Sequence, residues 1–211
     1  ILGSILDFAD GRRSRAHGVP ASISAYSLPS APLPECLPPI LALVGTSMDS
    51  GKTTAASALV SSFSDQGLKV ACGKLTGVSL QRDMLMQEDA GAFQTASFTD
   101  FGIVTTNDAN AVGAAHSLIA YLHDHAPDVI VLELGDGLFG PYGVNALLTD
   151  DAFRNAISAH LLCAHDPVGA WGAVRHLKES FGIRPTLVTG PVTDTQVGIG
   201  YCREQLDLPA A

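Results

Sequence analysis

Residues 41–54 read Leu-Ala-Leu-Val-Gly-Thr-Ser-Met-Asp-Ser-Gly-Lys-Thr-Thr: an apolar run, a glycine, five residues, a second glycine and a Lys-Thr-Thr end. A short apolar run that breaks into a glycine-rich turn and then into hydroxyl residues is a strand, a loop and a helix start. There, successive backbone N–H groups converge on an oxyanion. In such a loop Gly45, Thr46, Ser47, Asp49, Ser50, Gly51, Lys52, Thr53 and Thr54 surround the phosphates of a nucleotide. Lys52 reaches the β- and γ-phosphates, and the Thr53 hydroxyl binds Mg2+. The spacing is one residue longer than the pattern GxxxxGK[ST]. A glycine-rich turn that only caps a helix is the alternative. The preceding strand, the following helix and the Gly-Lys-Thr-Thr core together favour nucleotide binding.

Outward from this loop, apolar runs alternate with amphipathic segments, the signature of parallel strands joined by helices. Strands are expected at 40–44, 69–73, 128–133, 159–164 and 184–189, and helices near 52–66, 108–125, 144–157, 167–181 and 195–206. The stretch 75–107 is less regular and rich in Thr, Asp and Gly. The expected fold is α/β, a P-loop NTPase with a mostly parallel sheet flanked by helices. Ligands of such sheets sit beyond the carboxyl ends of the strands.

Residues 1–39 have a different character: a short apolar segment, basic Arg12, Arg13 and Arg15, then Pro-rich Ser-Leu-Pro-Ser-Ala-Pro-Leu-Pro-Glu-Cys-Leu-Pro-Pro, which should run extended. We expect 1–39 to be a lead-in or the remnant of an upstream domain, and 40–211 to be the nucleotide-binding domain. The first residue is Ile rather than Met, so a piece of something longer is one expectation.

The chain has 211 residues, 46% hydrophobic and 16% charged, enough to bury a sizeable core. Its formal charge of -9 gives no basic field for a polyphosphate backbone, which argues against nucleic acid as a partner. No apolar stretch is long enough to span a membrane, and the N-terminus has its charges after its apolar part, the reverse of a secretory signal. A cytoplasmic protein is expected. The scattered Cys36, Cys72, Cys163 and Cys202 read as reduced and structural.

Three segments agree in resembling dethiobiotin synthetase and its relatives among P-loop ATP-dependent ligases: the loop Gly-Thr-Ser-Met-Asp-Ser-Gly-Lys-Thr-Thr, the strand end Lys74-Leu-Thr-Gly, and Glu133-Leu-Gly-Asp-Gly after an apolar strand. The resemblance implies that Lys74 contacts both phosphate and substrate and that Glu133 is an acid beside magnesium. Asp89 in Asp-Ala-Gly-Ala-Phe-Gln matches the family's magnesium-binding aspartate, with Asp83 as its rival. Physics asks for the same groups: a lysine beside transferring charge, and a buried acid that meets a cation. Asp136 is a second acid in the loop after Glu133. Catalysis would then rest on Lys52, Lys74 and Glu133, with Thr53, Asp89 and Glu133 on the metal.

The resemblance departs where an asparagine would read adenine. Here that stretch is Leu187-Val-Thr-Gly-Pro-Val-Thr-Asp194, although the absence of Asn-Lys-x-Asp also argues against a guanine reader. The Pro-rich segment and Thr99-Asp-Phe-Gly-Ile-Val-Thr-Thr106 have no counterpart in the family.

The expected function is therefore a Mg-ATP-dependent enzyme that activates a carboxylate or carbamate of a small-molecule substrate by phosphoryl transfer, working by resemblance as a homodimer. A nucleotide-driven switch or cofactor-maturation ATPase is the alternative, and a regulatory module without chemistry is the third. Among features set aside, the histidines show no metal spacing, Trp171 reads as a core anchor, and Asp166-Pro167 reads as a helix start.

Overall fold

A computed structural model of the chain describes residues 6–8 and 18–211. In chain order the elements are β1 (Leu6–Asp7), β2 (Val19–Pro20), β3 (Ile40–Gly45), α1 (Lys52–Asp65), β4 (Val70–Thr76), α2 (Gln81–Asp89), β5 (Gln94–Ser97), α3 (Ala111–Asp124), β6 (Val129–Leu134), α4 (Val144–Thr149), α5 (Asp151–Ala156), β7 (Ala159–Cys163), α6 (Pro167–Phe181), β8 (Leu187–Thr189) and α7 (Gln196–Gln205). A short 3₁₀ turn spans Phe98–Phe101. β1 and β2 form a small antiparallel pair. The other six strands form one sheet in the order β5-β4-β6-β3-β7-β8, parallel throughout. The expected α/β sandwich is what forms.

The two-residue period of the strands decides which helix each side chain meets. Ile40, Ala42 and Val44 of β3, Ala71 and Leu75 of β4, and Ile130, Leu132 and Leu134 of β6 join one cluster with α3, α4 and α6. Leu43, Val70, Cys72, Val129 and Val131 face the other way and join Ala56 and Val60 of α1. Lys74 continues the Val70–Cys72 row and Glu133 the Val129–Val131 row, and the two are register partners across β4 and β6. Alternation therefore delivers an adjacent cation and anion to the α1 face of the sheet at its carboxyl edge.

Several expectations need correcting. The segment between β4 and α3 contains a helix and an edge strand, α2 and β5, where no regular element is expected. The helix over 144–157 is two helices, because Asp150 leaves the helical conformation and its side chain accepts from Phe153 N at 2.8 Å, capping α5. The last strand begins at Leu187 rather than Arg184. Trp171 is no core anchor: it is 46% exposed on α6, with the Arg175 guanidinium over its ring at 5.3 Å. Asp166 does cap α6, accepting from Gly169 N at 2.8 Å, with Pro167 in the first turn.

The Pro-rich segment crosses the α3 side of the domain. Leu28 N donates to Asp100 O at 2.8 Å, Ala31 N to Ser117 Oγ at 3.1 Å, and Leu33 and Leu37 pack on the core. Arg12, Arg13 and Arg15 lie outside the described residues. Among the described residues no helix is long and apolar enough to cross a membrane. Cys72, Cys163 and Cys202 are buried and Cys36 exposed, all as free thiols. Burial pushes Cys72 and Cys163 up to about 12, which keeps them protonated and unreactive.

Candidate functional site

At the carboxyl edge of the sheet an open cavity of about 500 Å³ is lined by the phosphate loop on one side and by Gly77, Val78, Leu80 and the start of α2 on the other. The loop is built from two unusual backbone positions. Asp49 (φ 57) and Gly51 (φ 91) are left-handed, and Gly51 is the N-cap of α1. Gly45 is required by crowding: a Cβ there would fall 2.3 Å from Ser50 Oγ and 2.7 Å from Lys52 Nζ. The lysine therefore folds back over the strand end, where Nζ donates to Ser47 O at 2.9 Å.

Lys52 is 5% exposed and, among the described residues, has no carboxylate within ion-pair distance. Burial pulls its ammonium below the ordinary lysine value, more than Glu133 pushes it back. A buried cation in a glycine cradle at a helix N-terminus is a place built for an oxyanion.

Beside it Thr53 Oγ1 donates to Glu133, at 3.0 Å to Oε2 and 3.2 Å to Oε1. Burial raises the Glu133 carboxyl above the usual carboxylate range, against the pull of Lys52, Lys74 and the Thr53 hydroxyl. Lys74 and Asp83 are each 6% exposed and form a buried ion pair inside the cavity.

Of the residues singled out in the sequence, Asp49, Gly51, Lys52, Thr53, Thr54, Lys74, Glu133 and Asp136 converge on the cavity. Thr46 and Ser47 face the loop behind: Gly137 approaches so closely that a Cβ would meet Ser47 Cα at 2.7 Å and Thr46 O at 2.8 Å. Ser50 is buried, its Oγ 3.5 Å from Lys52 Nζ.

Asp89 does not join them. It is the exposed last residue of α2, about 9 Å along the helix from Asp83 at 1.5 Å per residue. The helix starts at Gln81, so Asp83 occupies its first turn and reaches the cavity.

Two polar side chains of α2 near the cavity were not foreseen. Arg82 lines the wall. Gln87, 2% exposed, donates from Nε2 to Thr53 O at 3.3 Å, and its Oε1 is buried without a partner. Asp83 and Gln87 stand four apart and share a helix face, a signal readable only once α2 itself is expected.

No metal cluster of three or more His, Cys, Asp or Glu residues exists among the described residues. Magnesium bound with a nucleotide needs no such cage, since one or two carboxylate or hydroxyl ligands suffice beside phosphate oxygens and water. The buried Glu133 carboxylate with the Thr53 hydroxyl meets that requirement.

No protein-family model matches the chain, and no curated protein matches it. Solved structures do. The cell division protein FtsY of Thermotoga maritima superposes with a TM-score of 0.62 at 18% identity, covering 89% of this chain and 66% of that one. The signal recognition particle receptor FtsY of Elizabethkingia anophelis gives 0.58 at 16%, covering 89% and 62%. The Signal Recognition Particle 54 kDa protein of Aeropyrum pernix K1, in complex with GDP, gives 0.58 at 20%, covering 84% and 41%. This chain thus spans two thirds or less of each. These matches give no support to the dethiobiotin synthetase branch; what they share with this chain, together with the loop geometry, is the fold of the P-loop nucleoside triphosphatases.

Proposed function

We propose that the chain is a magnesium-dependent nucleoside triphosphatase that works as a nucleotide-driven switch. The observation that carries this reading is Lys52: a buried ammonium that no carboxylate among the described residues meets within ion-pair distance, held in a cradle that a single Cβ would fill. Its natural partner is the β,γ-phosphate region of a nucleotide.

In this reading the N–H groups of the 45–54 loop and Lys52 hold the phosphates, and Thr53 with Glu133 holds magnesium. The metal neutralises charge on the phosphate oxygens. Asp83, not Asp89, is the second acid at the site. Lys74 is tied to Asp83, and Gln87 to the Thr53 carbonyl, so both ends of α2 are fastened to the groups that meet phosphate. A phosphoryl group that competes with Asp83 for Lys74 loosens the first turn of α2. That turn is the element that reports the nucleotide state.

A second reading is phosphoryl transfer to a small carboxylate or carbamate, with the homodimer that the family resemblance implies. It is favoured by the extent of the cavity, which reaches past the phosphate loop to apolar Val78, Leu80 and Met86 beside cationic Arg82.

Magnesium-dependent phosphate release, measured with ATP and with GTP, tests both. The switch reading expects slow release that Lys52→Ala removes and that pooled small acids do not change. Acceleration by one acid pool overturns the switch in favour of transfer, and release unaffected by Lys52→Ala overturns the phosphate-loop assignment.

A further inference from the structure

The stretch Thr99–Thr106, which has no part in the proposed phosphate chemistry, directs its polar atoms at the cavity rim. Ser79 N donates to Val104 O at 3.1 Å, and Thr106 N to Gly77 O at 3.1 Å. Val78 and Thr105 form an antiparallel bridge, and the Thr99 and Ser79 hydroxyls meet at 2.7 Å. This segment holds the loop after β4 as a second strand holds a hairpin.

Thr106 does more than hold one loop. It is 1% exposed. Its Oγ1 accepts from Gly77 N at 2.8 Å and donates to Tyr142 O at 2.8 Å. A hydroxyl has one hydrogen, and its shorter bond, to Tyr142 O at 2.8 Å rather than to Gly77 O at 3.4 Å, joins the second of the two segments. Gly77 and Tyr142 both line the cavity, one on the loop after β4 and one on the glycine-rich loop after β6.

Between them the packing leaves little slack. Gly77 is left-handed (φ 113), and a Cβ on Gly135 facing it would fall 2.2 Å from Thr76 O and 3.0 Å from Lys74 Cε. Thr76 Oγ1 donates to Gly135 O at 3.0 Å, a second tie between the same two loops. Lys74 and Glu133 stand at the roots of these loops.

We propose that Thr106 is a positioning residue: its single buried hydroxyl sets the spacing of the two loops that wall the cavity, and so the placement of Lys74 and Glu133 about the transferring phosphoryl group. The assignment rests on the reading of this cavity as the place of phosphoryl chemistry. The phosphate loop makes no contact with Thr106 among these bonds, so nucleotide affinity and turnover separate.

Thr106→Val keeps the shape but leaves Gly77 N and Tyr142 O unpaired, while Thr106→Ser restores the hydroxyl. In the nucleotide-free protein, hydrogen exchange of Thr106→Val should quicken at 77–80 and 140–144 together, leave 45–54 unchanged, and return to the wild-type pattern in Thr106→Ser. With Mg-nucleotide, kcat should fall by about ten- to a hundredfold, the cost of a small misplacement, while the nucleotide Kd stays within about twofold. Faster exchange at only one loop, faster exchange throughout the sheet, an unchanged kcat, or a Ser variant as impaired as Val overturns the proposal. A wild-type protein that releases no phosphate would instead remove the triphosphatase reading, and the exchange pattern would still decide whether Thr106 joins the two loops.

Discussion

Two regions wall the same cavity by opposite means. The phosphate loop takes its shape from neighbours in the chain, although Thr53 and Gly137 dock it on the rest: Lys52 bonds Ser47 five residues back, and Gly45 makes room for Ser50 and Lys52. The facing wall is assembled from partners that lie far apart in sequence. Thr106 reaches 29 residues to Gly77 and 36 to Tyr142, and Ser79 meets Thr99 across 20. The first region is a local conformation imposed by glycines and a helix start. The second exists only when the sheet has formed, since loop closure over such distances is unfavourable until packing compensates it. Changes at Gly45 and Lys52 of the phosphate loop should therefore cost most, and the facing wall should yield gradually.

The sharpest way to break that contrast is at Lys52. Lys52→Ala should cut phosphate release by about a thousandfold, the scale of losing a main donor to transition-state charge. The nucleotide-free variant should melt no lower than wild type, because the change deletes a buried cation that no carboxylate among the described residues meets within ion-pair distance. A lowered melting temperature would mean that Lys52 serves the fold rather than an anion.

Next in size is the pair of aspartates on α2. Asp83→Asn removes the partner of buried Lys74 and should lower turnover by about ten- to a hundredfold, as the loss of a residue that orients a primary ligand does. Asp89→Asn, at the exposed end of the helix, should change nothing measurable. The reverse ranking, read from the same phosphate-release assay, would restore Asp89 to the metal.

The smallest effect concerns stability. Burial raises the Glu133 carboxyl, so the folded protein holds that proton more tightly than the unfolded chain does. Its ionised form therefore costs stability at high pH, and the cost disappears as pH falls to the ordinary carboxylate range, about 4. Nucleotide-free Glu133→Gln should melt above wild type at pH 8, because the glutamine carries no charge to bury. The difference should close towards pH 4 and narrow at pH 8 when Mg-nucleotide is added to the wild type. A thermal scan in which the variant melts lower at every pH would mean that Glu133 is satisfied without a cation.

The difference between the two regions also governs what could be read in the chain. Apolar runs at 40–45, 70–76 and 129–134 announce buried parallel strands because every residue in them must be apolar on both faces. Exceptions at their carboxyl ends, Lys74 and Glu133, stand out for the same reason. The stretch 75–107 carries no such signal: α2 is polar on most of its surface, and its buried face consists of Asp83, Met84 and Gln87. With two polar residues among those three, hydrophobic periodicity cannot find the helix, and Asp89 in its local motif draws the eye instead. Trp171 misleads in the opposite sense, since a large aromatic in a helix reads as core until its face is known to point outward.

By itself the sequence determined the alternation of strands and helices, the glycine cradle with Lys52 and Thr53, and the placing of Lys74 and Glu133 at strand ends. These follow from short-range sterics and from a two-residue period that any parallel strand obeys. Only the tertiary structure decided that Lys74 pairs with Asp83, that Gln87 holds Thr53, that Asp89 stands outside, and that Thr106 joins two loops of the cavity. Each of those depends on which strands become neighbours and on which way a helix turns against them, and such choices are made by burial summed over the whole sheet rather than by any local run of residues.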